Sequence, residues 1–202
     1  MRPMLAAALL LAAPALAQMD QPLHGAGGPA DVKAGTYAVE PNHTQVTFSV
    51  SHLGISPFAG TFSGASGTLT ADPANFAATT LSVSIPVASV QTTSAKLTDE
   101  LKSGDWLDAG KFPTATFRST RVTALTADTV QVDGTLTLHG VSKPAIIRAR
   151  LFGVATNPMS KKASIGFLGR LQFKRSDFGV SKYVPMVSDD TVLVINAAFE
   201  RQ

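Results

Sequence analysis

Apolar and small polar residues alternate at period two from end to end of this chain. In Gln45-Val46-Thr47-Phe48-Ser49-Val50-Ser51-His52 every second residue is apolar until the histidine. Thr80-Leu81-Ser82-Val83-Ser84-Ile85 repeats the pattern, as does Val130-Gln131-Val132-Asp133-Gly134-Thr135-Leu136-Thr137-Leu138. Side chains on a strand point alternately to opposite faces, so each run carries one oily face and one wet face. Many such strands with little helix between them must cover their oily faces with one another. The chain is therefore all-β, a sandwich or a closed antiparallel barrel, and a barrel raises the question of what fills it.

Strands are predicted over residues 36–39, 45–53, 58–63, 65–71, 80–86, 115–122, 129–138, 145–152, 162–174 and 191–201. Residues that favour turns or tolerate left-handed backbone separate most of them, among them Pro41-Asn42, Gly64, Asp72-Pro73, Asp128, Gly140 and Asn157-Pro158. Short strands at this spacing mark a meander or Greek key. Residues 94–103 depart from the pattern. Leu97 and Leu101 lie four apart with Lys96, Asp99, Glu100 and Lys102 around them, the pattern of a short amphipathic helix. It ends before Gly104-Asp105-Trp106-Leu107, which holds the single tryptophan. Two readings stay open: a crossover helix that plugs or flanks one barrel end with Trp106 as packing, or a lid over a ligand entrance.

Residues 68–90 are rich in Ala, Ser and Thr, and charged residues make up only 15% of the chain, so hydroxyls supply much of the outer polarity. The inward set reads Val46, Phe48, Val50, Leu81, Val83, Ile85, Phe117, Val132, Leu136, Leu138, Ile165, Phe167, Leu171 and Phe173. If all of these interlock, the interior is solid. In a slightly wider barrel the same residues line a dry tunnel. Periodicity does not separate the two.

The N-terminus reads as a targeting segment. Arg2 precedes an apolar Ala/Leu run over residues 4–13, and Ala15-Leu16-Ala17 offers a small-x-small cleavage pattern before Gln18. The run is too short for a membrane span, which needs about 20 apolar residues. Residues 1–17 are thus expected to be a signal peptide, 18–34 a flexible leader, and 35–202 one barrel domain. The chain has no cysteine, so it has no disulfide framework and no site for a lipid-modified cysteine. Export without cysteine fits a periplasmic protein. The formal net charge is +3, with basic residues scattered apart from Lys161-Lys162 and residues 170–175. A nucleic-acid binder would show a basic stripe interleaved with aromatics, and none is present.

Residues for bond-making chemistry are few. His52 shares parity with Val46, Phe48 and Val50, which directs it to the interior or its rim, either hydrogen-bonded at a strand end or touching a ligand head group. His43 and His139 sit beside turns and read as turn ties. Together with His24 they give no metal-ligand spacing, so no metal is expected. Arg175 and Asp177 either fix the loop before Phe178-Gly179 or leave Arg175 to meet a carboxylate or an anionic head group. Neither a G-x-S-x-G elbow nor a cysteine nucleophile nor a glycine-rich phosphate loop occurs, and no residue is nominated as catalytic.

Five segments, in order, resemble the motifs of one protein family. Residues 37–52, from Tyr37 through Glu40, His43 and Phe48 to His52, resemble the family opening D-x-x-H-S/T-x-V-x-F-x-V-x-H, with Glu40 in place of Asp. Phe58-Ala59-Gly60-Thr61-Phe62 matches its G-x-F element. Residues 106–117 resemble F-D-x-x-x-Y/F-P-x-A-x-F, with Leu107 replacing the first Phe. Gly134-Thr135-Leu136-Thr137-Leu138-His139-Gly140-Val141-Ser142-Lys143-Pro144 is similar to G-x-L-T-L-H-G-V-T-K-P, and Arg175-Ser176-Asp177-Phe178-Gly179 matches R-S-D-F-G. The matches are collinear and cover nearly all of 35–202, and on them the chain resembles the YceI family of bacterial polyisoprenoid-binding proteins.

The resemblance implies a lipocalin-like antiparallel barrel of about eight strands that holds an isoprenoid chain inside, with some of the predicted strands being breaks or short extra pieces. The expected ligand-binding interior is Val46, Phe48, Val50, Phe62, Leu81, Val83, Ile85, Phe117, Leu136, Leu138, Phe167 and Leu171, with His52, Trp106 and Arg175 at the mouth or head group. The expected partner is a polyisoprenoid or isoprenoid quinone, bound as ligand with no cofactor, no nucleic acid, transient membrane contact, and a monomer or homodimer. Such a tail needs shape and apolar area rather than catalytic groups. At about 0.8 kcal/mol per buried methylene, one isoprene unit contributes ~3–4 kcal/mol before ordering costs. Three functions follow: a non-enzymatic carrier or store, an enzyme acting on the lipid or quinone head, and a stress-response interaction module with incidental lipid.

Overall fold

A computed structural model describes residue 23 and residues 25–202. The predicted signal peptide and residues 18–22 and 24 lie outside the described residues. Ten strands follow in order: β1 (Gly35–Val39), β2 (Gln45–His52), β3 (Ser56–Phe62), β4 (Ser66–Ala71), β5 (Thr80–Pro86), β6 (Thr114–Ala124), β7 (Thr129–Leu138), β8 (Val141–Thr156), β9 (Ala163–Lys174) and β10 (Asp190–Arg201). One helix, α1 (Ala95–Lys102), lies between β5 and β6.

The ten strands and the eight-stranded barrel are reconciled by pairing. β1, β4, β5, β6, β7, β8, β9 and β10 pair in that order, all antiparallel, and β10 returns to β1 to close the ring. The β2–β3 hairpin is attached to the same β10 strand, below β1. β1 pairs with β10 at Phe199, Glu200 and Arg201, and β2 pairs with it from Val192 to Asn196. The chain steps from one pairing to the other at the Pro41-Asn42 turn. There the Glu40 carboxylate accepts the N–H groups of Asn42 and His43, each at 3.0 Å, and sits 2.6 Å from His43 Nδ1. His43 is a turn tie.

Alternation sets the wall. In β4, Leu69 and Ala71 are buried while Ser66, Thr68 and Thr70 face solvent. Bulges at Ser119/Arg121 and Leu151/Gly153 bend β6 and β8, adding the curvature that closure requires. β8 starts earlier than its sequence suggests. Pro144 is tolerated because it lies on the stretch of β8 that pairs with β7 alone, where no ladder on the far side asks for its missing N–H. The segment read as a flexible leader is laid over one barrel end from Gly25 onward. Ala26 O accepts Val154 N–H at 2.6 Å, and a 3-10 turn follows at Pro29–Asp31. The backbone bond to β8 replaces the solvation that a free leader would keep.

Candidate functional site

The barrel interior is open. A cavity of about 620 Å³ runs along it, and every predicted interior residue lines it. β2 supplies Val46, Phe48 and Val50, and β3 supplies Phe62. Leu81, Val83 and Ile85 come from β5, Phe117 from β6, Leu136 and Leu138 from β7, and Phe167 and Leu171 from β9.

Two glycines explain why so many aromatic side chains leave room. Gly60 faces inward directly across from Phe48, and Gly134 faces inward beside the Phe117–Leu136 pair. A Cβ on Gly60 would lie 2.5 Å from Phe48 Cε1, and one on Gly134 would lie 2.4 Å from Phe117 Cζ. Each ring therefore lies down on bare backbone instead of projecting into the lumen, the covering of a strand glycine by a cross-strand aromatic.

The two ends differ. At one, Pro29, Val32, Pro73, Phe76 and Asp128 approach the cavity. At the other, α1 and the loop between β9 and β10 meet. Ser94 caps α1, its side chain accepting Leu97 N–H at 3.4 Å. Leu97, Leu101, Trp106 and Leu107 turn towards the cavity, yet none of the eight residues of α1 is buried. Helix and loop are joined by side chains: Trp106 Nε1 donates to Glu100 Oε1 at 3.1 Å, the Trp106 ring meets Tyr183 edge-on at 6.0 Å, and Lys182 Nζ donates to Asp105 Oδ2 at 2.6 Å. The helix thus flanks the barrel end and also covers the lumen.

Arg175 anchors this end. The residue is 5% exposed. Nε donates to Ser188 O (2.9 Å), Nη1 to Val180 O (2.9 Å), and Nη2 to both Lys182 O and Val187 O (each 2.8 Å). Its guanidinium carbon stands 5.3 Å from the Trp106 ring centre. The residue fixes the 180–188 loop and also lines the cavity, and it makes no ion pair within 4 Å among the described residues. Burial pulls its pKa below the ordinary arginine value, partly offset by the charge of Asp189. The guanidinium stays charged.

His52 closes β2 at this mouth, bridging to Val187 through the backbone. It is exposed, and its ring has no hydrogen-bond partner among the described residues. His139 holds a turn, with Nδ1 3.1 Å from Phe178 O and its ring 4.5 Å from Phe112. No group of three or more His, Asp or Glu side chains suited to a metal ion occurs among the described residues.

Several lining residues were not singled out by sequence. Thr191, Leu193, Ile195, Ala197 and Phe199 of β10 all face the cavity. Their alternation carries the signal, and the polar Thr191 breaks the apolar set at its start. Tyr183 and Val187 lie in a loop without periodicity and gave none.

The YceI-like domain pattern matches residues 37–199. A UPF0312 protein of Azotobacter vinelandii is 37% identical over 177 residues, covering 87% of this chain and 92% of that protein. The crystal structure of BcnA from Burkholderia cenocepacia superposes with a TM-score of 0.70 at 27% identity, covering 79% of this chain and 98% of that one. A polyisoprenoid binding domain from Saccharophagus degradans, implicated in plant cell wall breakdown, shares the fold at a TM-score of 0.65 and 15% identity, over 84% and 100% of the two chains. The family pattern spans most of the sequence and the same closed barrel recurs in the solved structures; this chain belongs to the YceI family.

Proposed function

We propose that this protein is a non-enzymatic carrier or store of a long-chain isoprenoid lipid, acting in the periplasm after removal of residues 1–17. The cavity is the observation that carries the reading: about 620 Å³, lined by aliphatic and phenyl side chains and covered by a short helix. An apolar cavity of about 150 Å³ stays dry and binds benzene, so this one has room for roughly 24 carbon atoms. A chain of isoprene units matches the lining because neither side asks for hydrogen bonds. The Saccharophagus degradans domain illustrates what this barrel shape holds elsewhere. Exposed Leu53, Ile55 and Met186 beside the covered mouth give a surface for transient contact with the membrane from which such a lipid is drawn.

Incubation with geranylgeraniol, followed by gel filtration and extraction, tests carriage against catalysis. Stoichiometric recovery of the unchanged alcohol is expected, whereas a converted product would establish an enzyme. Sequencing of the exported protein is expected to begin at Gln18, and an intact Met1 on the exported chain would contradict periplasmic delivery by cleavage.

A further inference from the structure

The barrel end away from α1 is crossed by a strap of chain. Residues 25–32 run from β8 to β1, which stand three places apart in the ring of eight strands. None of residues 25–34 is buried. The strap nevertheless lies in the path of the tunnel, because Pro29 and Val32 line the cavity together with Pro73 and Phe76 of the β4–β5 connection.

Its two ends are held differently. On the β1 side, the buried Tyr37 donates its hydroxyl to Lys33 O at 2.8 Å, and Arg201 Nη2 donates to Ala34 O at 3.0 Å. On the β8 side, residues 25–32 make one hydrogen bond to the barrel among the described residues, from Val154 N–H to Ala26 O. The bond forms where β7 has run out, since β7 pairs with β8 only as far as Arg150 and leaves that edge of β8 uncovered beyond it. Glycines make the seat. A Cβ on Gly25 would lie 1.7 Å from Phe152 O, and one on Gly153 would lie 2.9 Å from Ala26 O. A side chain at Gly25 therefore lifts the strap off β8. Next to this contact a hollow of about 230 Å³, lined by Gly27, Gly28, Asp128 and Arg150 among others, leaves part of the strap unpacked. The strap has a fixed end, a latch of one backbone bond, and a panel facing the tunnel.

Resting on the proposed isoprenoid cavity, we infer that residues 25–32 are a gate through which the far end of a long prenyl tail leaves the barrel. Room for roughly 24 carbon atoms is about five isoprene units. A shorter tail fits behind the shut strap. A longer one has to leave by one end, and the strap yields first: the α1 end is held by the Trp106–Glu100 and Lys182–Asp105 bonds and by Trp106 against Tyr183, the strap by one bond. Units beyond the gate bury little further apolar surface, so affinity levels off instead of rising with each added unit.

Hydrogen exchange at the Val154 amide reads the latch. The Leu151 amide, bonded to Asp128 O at 2.7 Å near the same end of β8, is the control. The probes are geranylgeraniol, with four isoprene units, and solanesol, with nine. With geranylgeraniol, Val154 is expected to exchange no faster than in the free protein. With solanesol it is expected to exchange about tenfold faster, while Leu151 is unchanged. Gly25→Val is expected to speed Val154 exchange without any ligand, to bind solanesol about fivefold more tightly and to leave geranylgeraniol binding unchanged. Its unfolding temperature is expected to stay close to that of wild type because the strap contributes no buried residue. The exchange measurement on wild type decides the matter alone if that variant does not fold. A solanesol complex in which Val154 stays as protected as in the free protein overturns the gate. So does faster exchange at both amides, which would be loosening of the whole barrel end. Binding of solanesol by Gly25→Val alone would make the strap a fixed floor, and its binding by neither protein beside bound geranylgeraniol would overturn the gate and leave the tunnel standing. Failure of wild type to bind either probe overturns the tunnel and the gate together.

Discussion

Arg175 shows how one side chain serves both fold and site. Its charge is buried with no carboxylate bonded to it, and four carbonyls of residues 180–188 take the place of water. Replacing it by Met, of similar length, leaves those acceptors without donors. The expected loss is about 3 kcal/mol or more in urea unfolding, and Arg175→Lys is expected to recover less than half of it because a point charge does not span the fork. Asp189, at the base of the same loop, predicts a pH dependence. Burial alone would raise its carboxyl pKa, but hydrogen bonds from Ser176 N–H and Oγ–H, both 2.8 Å, outweigh it, helped by the charges of Lys174 and Arg175. The folded value lies below the ordinary range, so the carboxylate stabilises the fold above its unfolded pKa, about 3.9, and this is lost as pH falls through the folded value. The urea midpoint is expected to drop between about pH 5 and pH 2, and less steeply in Asp189→Asn. Parallel curves for the two proteins would show that Asp189 does not contribute.

At the scale of elements, α1 is the piece most able to move. It contributes no buried residue, and Trp106, Tyr183 and the Lys182–Asp105 pair hold it against the loop. Stopped-flow release of a prenyl probe is expected to speed up about tenfold in Trp106→Ala, with a smaller, salt-sensitive change in Asp105→Ala, since exposed ion pairs are worth ~0–1 kcal/mol. An unchanged release rate in Trp106→Ala would make the helix a fixed flank rather than a lid. Most of this was legible in the sequence: period two located the strands, and Leu97 with Leu101 located the helix. What alternation does not carry is which strands face one another. Whether the lumen is open depends on Phe48 lying across from Gly60 and Phe117 over Gly134, a matter of cross-strand register. Closure by eight of ten strands depends on β1 and β2 sharing β10.

For the whole molecule, the barrel is a wall around a volume, and the proposed function rests on that volume staying empty of side chains. Tryptophan in place of Phe48 or Phe167 fills part of it. Each variant is expected to weaken a long prenyl tail more than it weakens folding, read as a loss of affinity exceeding tenfold beside a small shift in unfolding temperature. Loss of fold with undiminished affinity in the folded fraction would instead point to a packed core. The most direct test of the proposed lipid-carrying role is native mass spectrometry of the exported protein, followed by solvent extraction. A single stoichiometric adduct is expected, which extraction releases as an isoprenoid lipid. A protein that stays at its own mass, even after exposure to prenyl lipids in detergent, would contradict it.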